Sequence, residues 1–168
     1  MAKPDAACPC GTTLPYADCC GRFHGSAQHL MAPTAEALMR SRYSAYTLQL
    51  DDYLLATWHP STRPATPFHH EPGLRWLGLQ VLSHEQTGAD HAQVEFVARS
   101  KLGGRAHRLC ERSRFVREGD HWLYLDAVTE KQVVDFYHAT QYLWKAADPL
   151  FADDGAGLRP WIDSCYPG

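Results

Sequence analysis

The sequence predicts an α+β fold, with helices packed on one face of an antiparallel sheet. Three observations lead there: helical periodicity opens residues 34–128, strand alternation fills the rest, and the strand connections are too short for crossover helices. Thr34 is a good N-cap, and Pro33 discourages helix before it, so a helix is expected over about 35–50. Met39, Tyr43, Tyr46 and Leu50 recur at helical spacing, and Leu38 and Ala45 widen that stripe. Asp51 is expected to cap a second, short helix over 52–58, which His59-Pro60 stops. Residues 60–73 hold four prolines and read as a loop. Strands are expected over 76–83, 91–100, 106–116 and 121–128, separated by Thr87-Gly88-Ala89-Asp90, Leu102-Gly103-Gly104 and Glu118-Gly119-Asp120. After them, Val133, Phe136, Tyr137, Thr140 and Trp144 mark one side of a further helix over 129–147, followed by a tail rich in Asp, Gly and Pro.

Composition narrows the function classes. The 168 residues carry 16 Lys+Arg against 19 Asp+Glu, a formal charge of −3, with 45% hydrophobic and 21% charged residues. That is a chain with enough apolar surface for one core, which excludes a disordered protein. A slightly acidic balance without a Lys/Arg run makes nucleic acid an improbable partner. No stretch approaches the roughly 20 apolar residues of a membrane span, and the first residues lack the apolar segment of a secretory signal. A cytoplasmic address is therefore expected, where clustered thiols bind metal or do redox work more often than they form structural disulfides.

Cysteine is the strongest signal. Cys8-Pro9-Cys10-Gly11 and Cys19-Cys20-Gly21 place four thiols within 13 residues. Two close pairs flanking a short loop supply the four soft ligands of a tetrahedral Zn²⁺ site, with Gly11 and Gly21 where the chain must turn around the ion. Four protein ligands leave no open position, so the zinc would be structural rather than catalytic. Lys3 and Arg22 are placed to soften the negative charge of the thiolates. Spacing leaves His24 as an alternative to Cys20 for the fourth ligand.

The run from Cys8 to Gly21 resembles the SEC-C zinc motif, known from the C-terminus of the bacterial translocation ATPase SecA and from many small proteins. In SecA a His stands at the position of Cys20, so the resemblance assigns that ligand to Cys20 rather than His24. Thr12, Thr13 and Leu14 depart from the usual Gly-Ser-Gly and lysines, which removes the basic face such motifs can offer. Further on, Leu38-Met39-Arg40-Ser41-Arg42-Tyr43-Ser44-Ala45-Tyr46, Tyr53-Leu54-Leu55-Ala56-Thr57-Trp58-His59-Pro60, Val94-Glu95-Phe96 and Glu111-Arg112-Ser113-Arg114-Phe115 resemble the YchJ family. This resemblance implies a SEC-C-like zinc segment over 1–33, an NTF2-like, cone-shaped domain over 34–128, and a C-terminal helix and irregular tail over 129–168. It also implies a pocket between helices and curved sheet. The second SEC-C motif that ends many members is missing, since the tail holds only Cys165.

Within that domain, alternation on 106–116 puts His107, Leu109, Glu111, Ser113 and Phe115 on the inner face, and Arg108, Cys110, Arg112, Arg114 and Val116 on the outer one. Arg42 lies on the edge of the helical stripe and needs an acidic partner or a path to water. Glu111 is the candidate partner, and His59, ending the second helix, is expected nearby. Two readings follow. Arg42, Glu111 and His59 either anchor an anion and handle a proton, or Arg42 and Glu111 form an ion pair that fixes helices to sheet. The second is favoured. His69-His70-Glu71 reads as a solvated loop, and the outer arginines as a solvated or tail-covered face.

The expected function is a zinc-stapled interaction module, meeting another protein through its zinc segment, fused to a domain that takes a small ligand or partner. The alternatives are an enzyme using the pocket for acid–base chemistry and, more weakly, an RNA- or ribosome-associated factor.

Overall fold

The computed structural model describes residues 6–26, 28–65, 68 and 70–128. A 3₁₀ turn at Tyr16–Asp18 leads into α1 (Gly21–Gly25), α2 (Ala35–Leu48) and α3 (Asp51–Ala56), followed by β1 (Arg75–Gln86), β2 (His91–Leu102), β3 (Arg105–Glu118) and β4 (His121–Val128). The strands pair antiparallel in the order β1-β2-β3-β4, and α2 lies against β1, β2 and β4. This is the predicted α+β architecture.

Local chemistry accounts for the element ends. Thr34 caps α2 as expected, its Oγ1 accepting from the Ala37 N–H at 3.1 Å. Gln49 stops the helix in the left-handed region at φ 57° and ψ 47°. The cap expected at Asp51 is not made: Asp51 is the first residue of α3, Leu50 holds the cap position without a side-chain bond, and the helix ends at Ala56 instead of Trp58. Thr57 and Trp58 are drawn out of the helix by β4. The Tyr124 N–H donates to Thr57 O at 2.9 Å, and the His59 N–H donates to Tyr124 O at 2.8 Å.

The strands run longer than alternation predicted, except β4, whose limits match. Leu102 and Arg105 face each other across a two-residue loop in which Gly103 and Gly104 have φ of 55° and 83°. Two consecutive positive-φ residues continue the right-handed twist of the hairpin, and glycine takes them without a steric penalty. Register shifts at Trp76/Gly78, Val81/Ser83 and Arg114/Phe115 bend the sheet around the helices.

On the predicted inner face of β3, Leu109, Glu111, Ser113 and Phe115 are buried, whereas His107 near the hairpin end is only half-buried. One core cluster joins these strands to Leu38, Met39, Tyr43, Leu54 and Trp58, and it also includes Cys8, Cys10, Cys20 and Phe23. The cysteine segment thus packs into the same core as the helices and strands. The expected helix over 129–147, the tail, Lys3, His69 and Cys165 lie outside the described residues.

Candidate metal centre and interior polar cluster

The backbone before α1 folds back on itself to gather the cysteines. The Cys8 N–H donates to Leu14 O at 3.0 Å, and the Gly11 N–H donates to Cys8 O at 3.1 Å. Gly11 takes φ 83°, and a Cβ there would sit 3.3 Å from Leu79 O on β1, so glycine serves both the turn and the close approach to the sheet. Gly21 has a different reason. It begins α1, and a Cβ on it would lie 2.7 Å from Tyr16 O.

The four sulfurs of Cys8, Cys10, Cys19 and Cys20 all lie within 4.8 Å of one another. Cys10 Sγ is 3.6 Å from Cys19 Sγ, and Cys19 Sγ is 3.9 Å from Cys20 Sγ. A disulfide needs sulfurs about 2.05 Å apart. Tetrahedral Zn–S bonds of about 2.3 Å place sulfurs about 3.8 Å apart, so the set fits a soft tetrahedral ion. Electrostatics points the same way. Hydrogen bonds from Cys10 and Cys20 pull the Cys8 thiol down, whereas the sulfur contacts with Cys10 and Cys8, with burial, push Cys20 up. Burial likewise raises Cys19. Metal ligation requires these sulfurs as thiolates, and a cation among them supplies the opposing charge.

The surroundings complete the centre. Thr12 Oγ1 lies 3.1 Å from Cys19 Sγ and 3.4 Å from Cys10 Sγ, and Ser44 Oγ lies 3.7 Å from Cys8 Sγ. Arg22 Nε donates to Cys19 O, and Arg40 Nη1 donates to Cys10 O, both at 3.3 Å. Arg22 was predicted to lie near the cysteines. Thr12, Arg40 and Ser44 were not, because each comes into place only when the loop closes or docks on α2.

His24 has both ring nitrogens engaged away from the sulfurs. Its Nε2–H donates to Ser41 O at 2.9 Å, which leaves Nδ1 to accept from the Tyr16 hydroxyl at 2.7 Å. The ring stands edge-on to Tyr53 at 4.4 Å, and burial pushes its pKa down, in keeping with that neutral tautomer. His24 thus ties α1 to α2.

The second candidate group is only partly assembled. Arg42 is buried, with Nη1 donating to Leu54 O at 2.8 Å and to Thr57 Oγ1 at 2.7 Å. Its guanidinium lies 4.6 Å from the Tyr124 ring centre and 5.1 Å from that of Trp58. Helix α3 ends with free carbonyls, and Arg42 meets one of them instead of a carboxylate. Glu111 is buried in the same interior but accepts from Ser113 Oγ at 2.6 Å, and the expected Arg42–Glu111 ion pair does not form. Burial pushes the Glu111 carboxyl up, against the opposing effects of the Ser113 hydroxyl and the Arg42 charge. His59 is not in the cluster at all. The β4 pairing carries it outward, where Nε2 meets Glu118 Oε1 at 3.1 Å and Nδ1 meets Ser61 Oγ at 2.6 Å. Two tyrosines missed in the sequence stand there instead. Burial pushes Tyr46 up to about 12 and raises Tyr124 well above the usual phenol range. Helical periodicity marked Tyr46 as core, which hid its hydroxyl, and Tyr124 lay unremarked in the last strand.

On the outer face Arg112 Nε donates to Glu95 Oε1 at 2.7 Å, and Arg114 Nε donates to Asp126 Oδ1 at 2.6 Å. The basic stripe is thus partly neutralised by its neighbours in the sheet. His70 Nε2 meets Asp51 Oδ1 at 2.7 Å, as a loop-to-helix tie. Among the described residues no helix is long and apolar enough to cross a membrane.

Comparison with known proteins accords with this geometry. Residues 34–127 match the model of the YchJ middle NTF2-like domain, and residues 6–22 match the SEC-C motif. A UPF0225 protein of Methylibium petroleiphilum is 61% identical over 126 residues, covering 75% of this chain and 90% of the relative. A UPF0225 protein of Bordetella parapertussis is 54% identical over 129 residues, covering 75% and 97%. Among solved structures, a SEC-C motif containing protein of Rhodopseudomonas palustris superposes with a TM-score of 0.64 at 33% identity, covering 74% of this chain and 99% of its own. One of Psychrobacter arcticus does so with a TM-score of 0.64 at 30% identity, covering 80% and 88%. With its SEC-C segment, its NTF2-like domain and these relatives, the chain belongs to the YchJ (UPF0225) family.

Proposed function

We propose that the protein is a cytoplasmic, zinc-stapled binding protein. Cys8, Cys10, Cys19 and Cys20 hold a structural Zn²⁺, and the interior around Arg42 receives a small ligand. The observation that carries the zinc reading is the closed set of four sulfurs. All four positions of a tetrahedral ion are then taken by protein, which leaves none for substrate. The segment so fixed leaves Leu14 and Met31 half exposed, and these are the residues offered to a protein partner. The interior brings a buried guanidinium, two phenols and a carboxyl together, which suits recognition of a small polar ligand better than filling space. An acid–base enzyme would have to work without His59, which stands outside that interior.

Elemental mass spectrometry tests the metal. One zinc per chain is expected, lost in the Cys19→Ser/Cys20→Ser double variant. Chains purified under reducing conditions that carry no metal would refute the reading.

A further inference from the structure

In the interior of the NTF2-like domain, Arg42 makes no salt bridge with any carboxylate of the described residues, although Glu111 lies near enough to feel its charge. Arg42 is 5% exposed, yet the acceptors it meets are neutral, the Leu54 carbonyl and the Thr57 hydroxyl, both through Nη1. The carboxyl best placed to balance it, Glu111, takes the Ser113 hydroxyl instead. Beside them the Tyr46 hydroxyl is buried, under the influence of the Arg42 guanidinium but without a hydrogen bond of normal length among the described residues. Buried charges are ordinarily paired and buried hydroxyls ordinarily bonded, so a cation and a hydroxyl left open together form an incomplete site. Both groups are donors, and both lie among aromatic rings. Tyr124 and Trp58 face the guanidinium, and Phe68 packs on Tyr46 at 5.9 Å and on Trp58 at 6.1 Å between ring centres.

We propose that this interior binds a small organic carboxylate. Arg42 neutralises its charge, the Tyr46 hydroxyl donates to one of its oxygens, and its apolar body lies against the Trp58 and Tyr124 rings. A neutral amide of the same outline offers one acceptor and no charge, and would leave the guanidinium unbalanced. The proposal rests on the reading of this interior as a ligand site, and names the class of ligand.

The test is a titration of the ¹⁵N-labelled, metal-loaded full chain with sodium benzoate and, separately, with benzamide. It is read at the amides of Tyr46 and Tyr124 and at the Trp58 indole N–H. Benzoate is expected to shift these signals saturably, with benzamide about ten-fold weaker or more. Tyr46→Phe keeps the ring and its packing, and should weaken benzoate by about ten-fold while leaving benzamide less affected. Arg42→Gln should abolish benzoate selectivity if the variant folds, and Tyr46→Phe decides the matter if it does not. Equal binding of benzoate and benzamide at these signals would keep the ligand site and overturn the carboxylate assignment. No shift there with either probe would overturn both.

Discussion

Removing the metal should destabilise the whole domain, not just the first thirty residues. Three connections across the boundary set the size of the effect. His24 Nε2 donates to Ser41 O and Arg40 Nη1 donates to Cys10 O, worth about 1 kcal/mol each. Phe23, 5% exposed, contributes about 2–3 kcal/mol through burial. Losing all three costs about 4–5 kcal/mol, a large part of the roughly 5–15 kcal/mol that holds a typical domain together. For a chain of this size that lowers Tm by on the order of 15 °C. The assay is differential scanning calorimetry of the reduced protein before and after a strong chelator, with zinc added back. One cooperative transition that moves down and returns is expected. Two independent transitions, with the larger unmoved by chelation, would refute the idea that the segment and the domain share one core.

Three further outcomes follow from single contacts. Gly21→Ala sets a Cβ 2.7 Å from Tyr16 O and should cost about 1–3 kcal/mol in urea unfolding, whereas Gly25→Ala, with nothing within 4 Å, should not destabilise. Glu111→Gln keeps an acceptor for Ser113 without a buried charge. The folded-state pKa of Glu111 is raised, so its stabilising effect is full below the unfolded value and lost as pH rises through the folded one. The variant should therefore be about 1 kcal/mol more stable at neutral pH, and a loss of several kcal/mol there would reinstate the ion pair. His24 has the opposite sign. Its folded-state pKa is lowered, so its contribution is full above the unfolded value of 6.5 and lost as pH falls through the folded one. His24→Gln should flatten the acid side of the stability profile in that window while keeping one metal per chain, and loss of metal would make His24 a ligand.

Much of the architecture was legible because it rests on local signals. Thr34 capped its helix, Gly103-Gly104 closed its hairpin, and alternation on β3 identified the buried Glu111. The cysteine cluster was legible because its four thiols fall within 13 residues. The errors came from contacts made by distant segments. Asp51 looked like a cap until β4 drew the end of the helix outward, and the same pairing removed His59 from Glu111. Arg42 was expected to seek a carboxylate, but the short α3 offered a closer carbonyl. Periodicity sorts residues into faces, and it carries no information on which polar group a buried arginine will reach first.

The cysteine segment also bears on the order of assembly. The sheet is a meander whose neighbours in space are neighbours in sequence, so it can zip without closing long loops. The segment before α2 is in the reverse position. Cys10 waits 30 residues for Arg40, Cys8 waits 36 for Ser44, and Leu30 waits 91 for His121. A nascent chain can thus gather its ion early, as a small loop, yet seat that loop only after the meander exists. Pulse-labelling hydrogen exchange during refolding should accordingly protect the β2 and β3 amides before those of residues 8–24. The closing step of folding is then the docking of the cysteine segment, which shuts the core behind it.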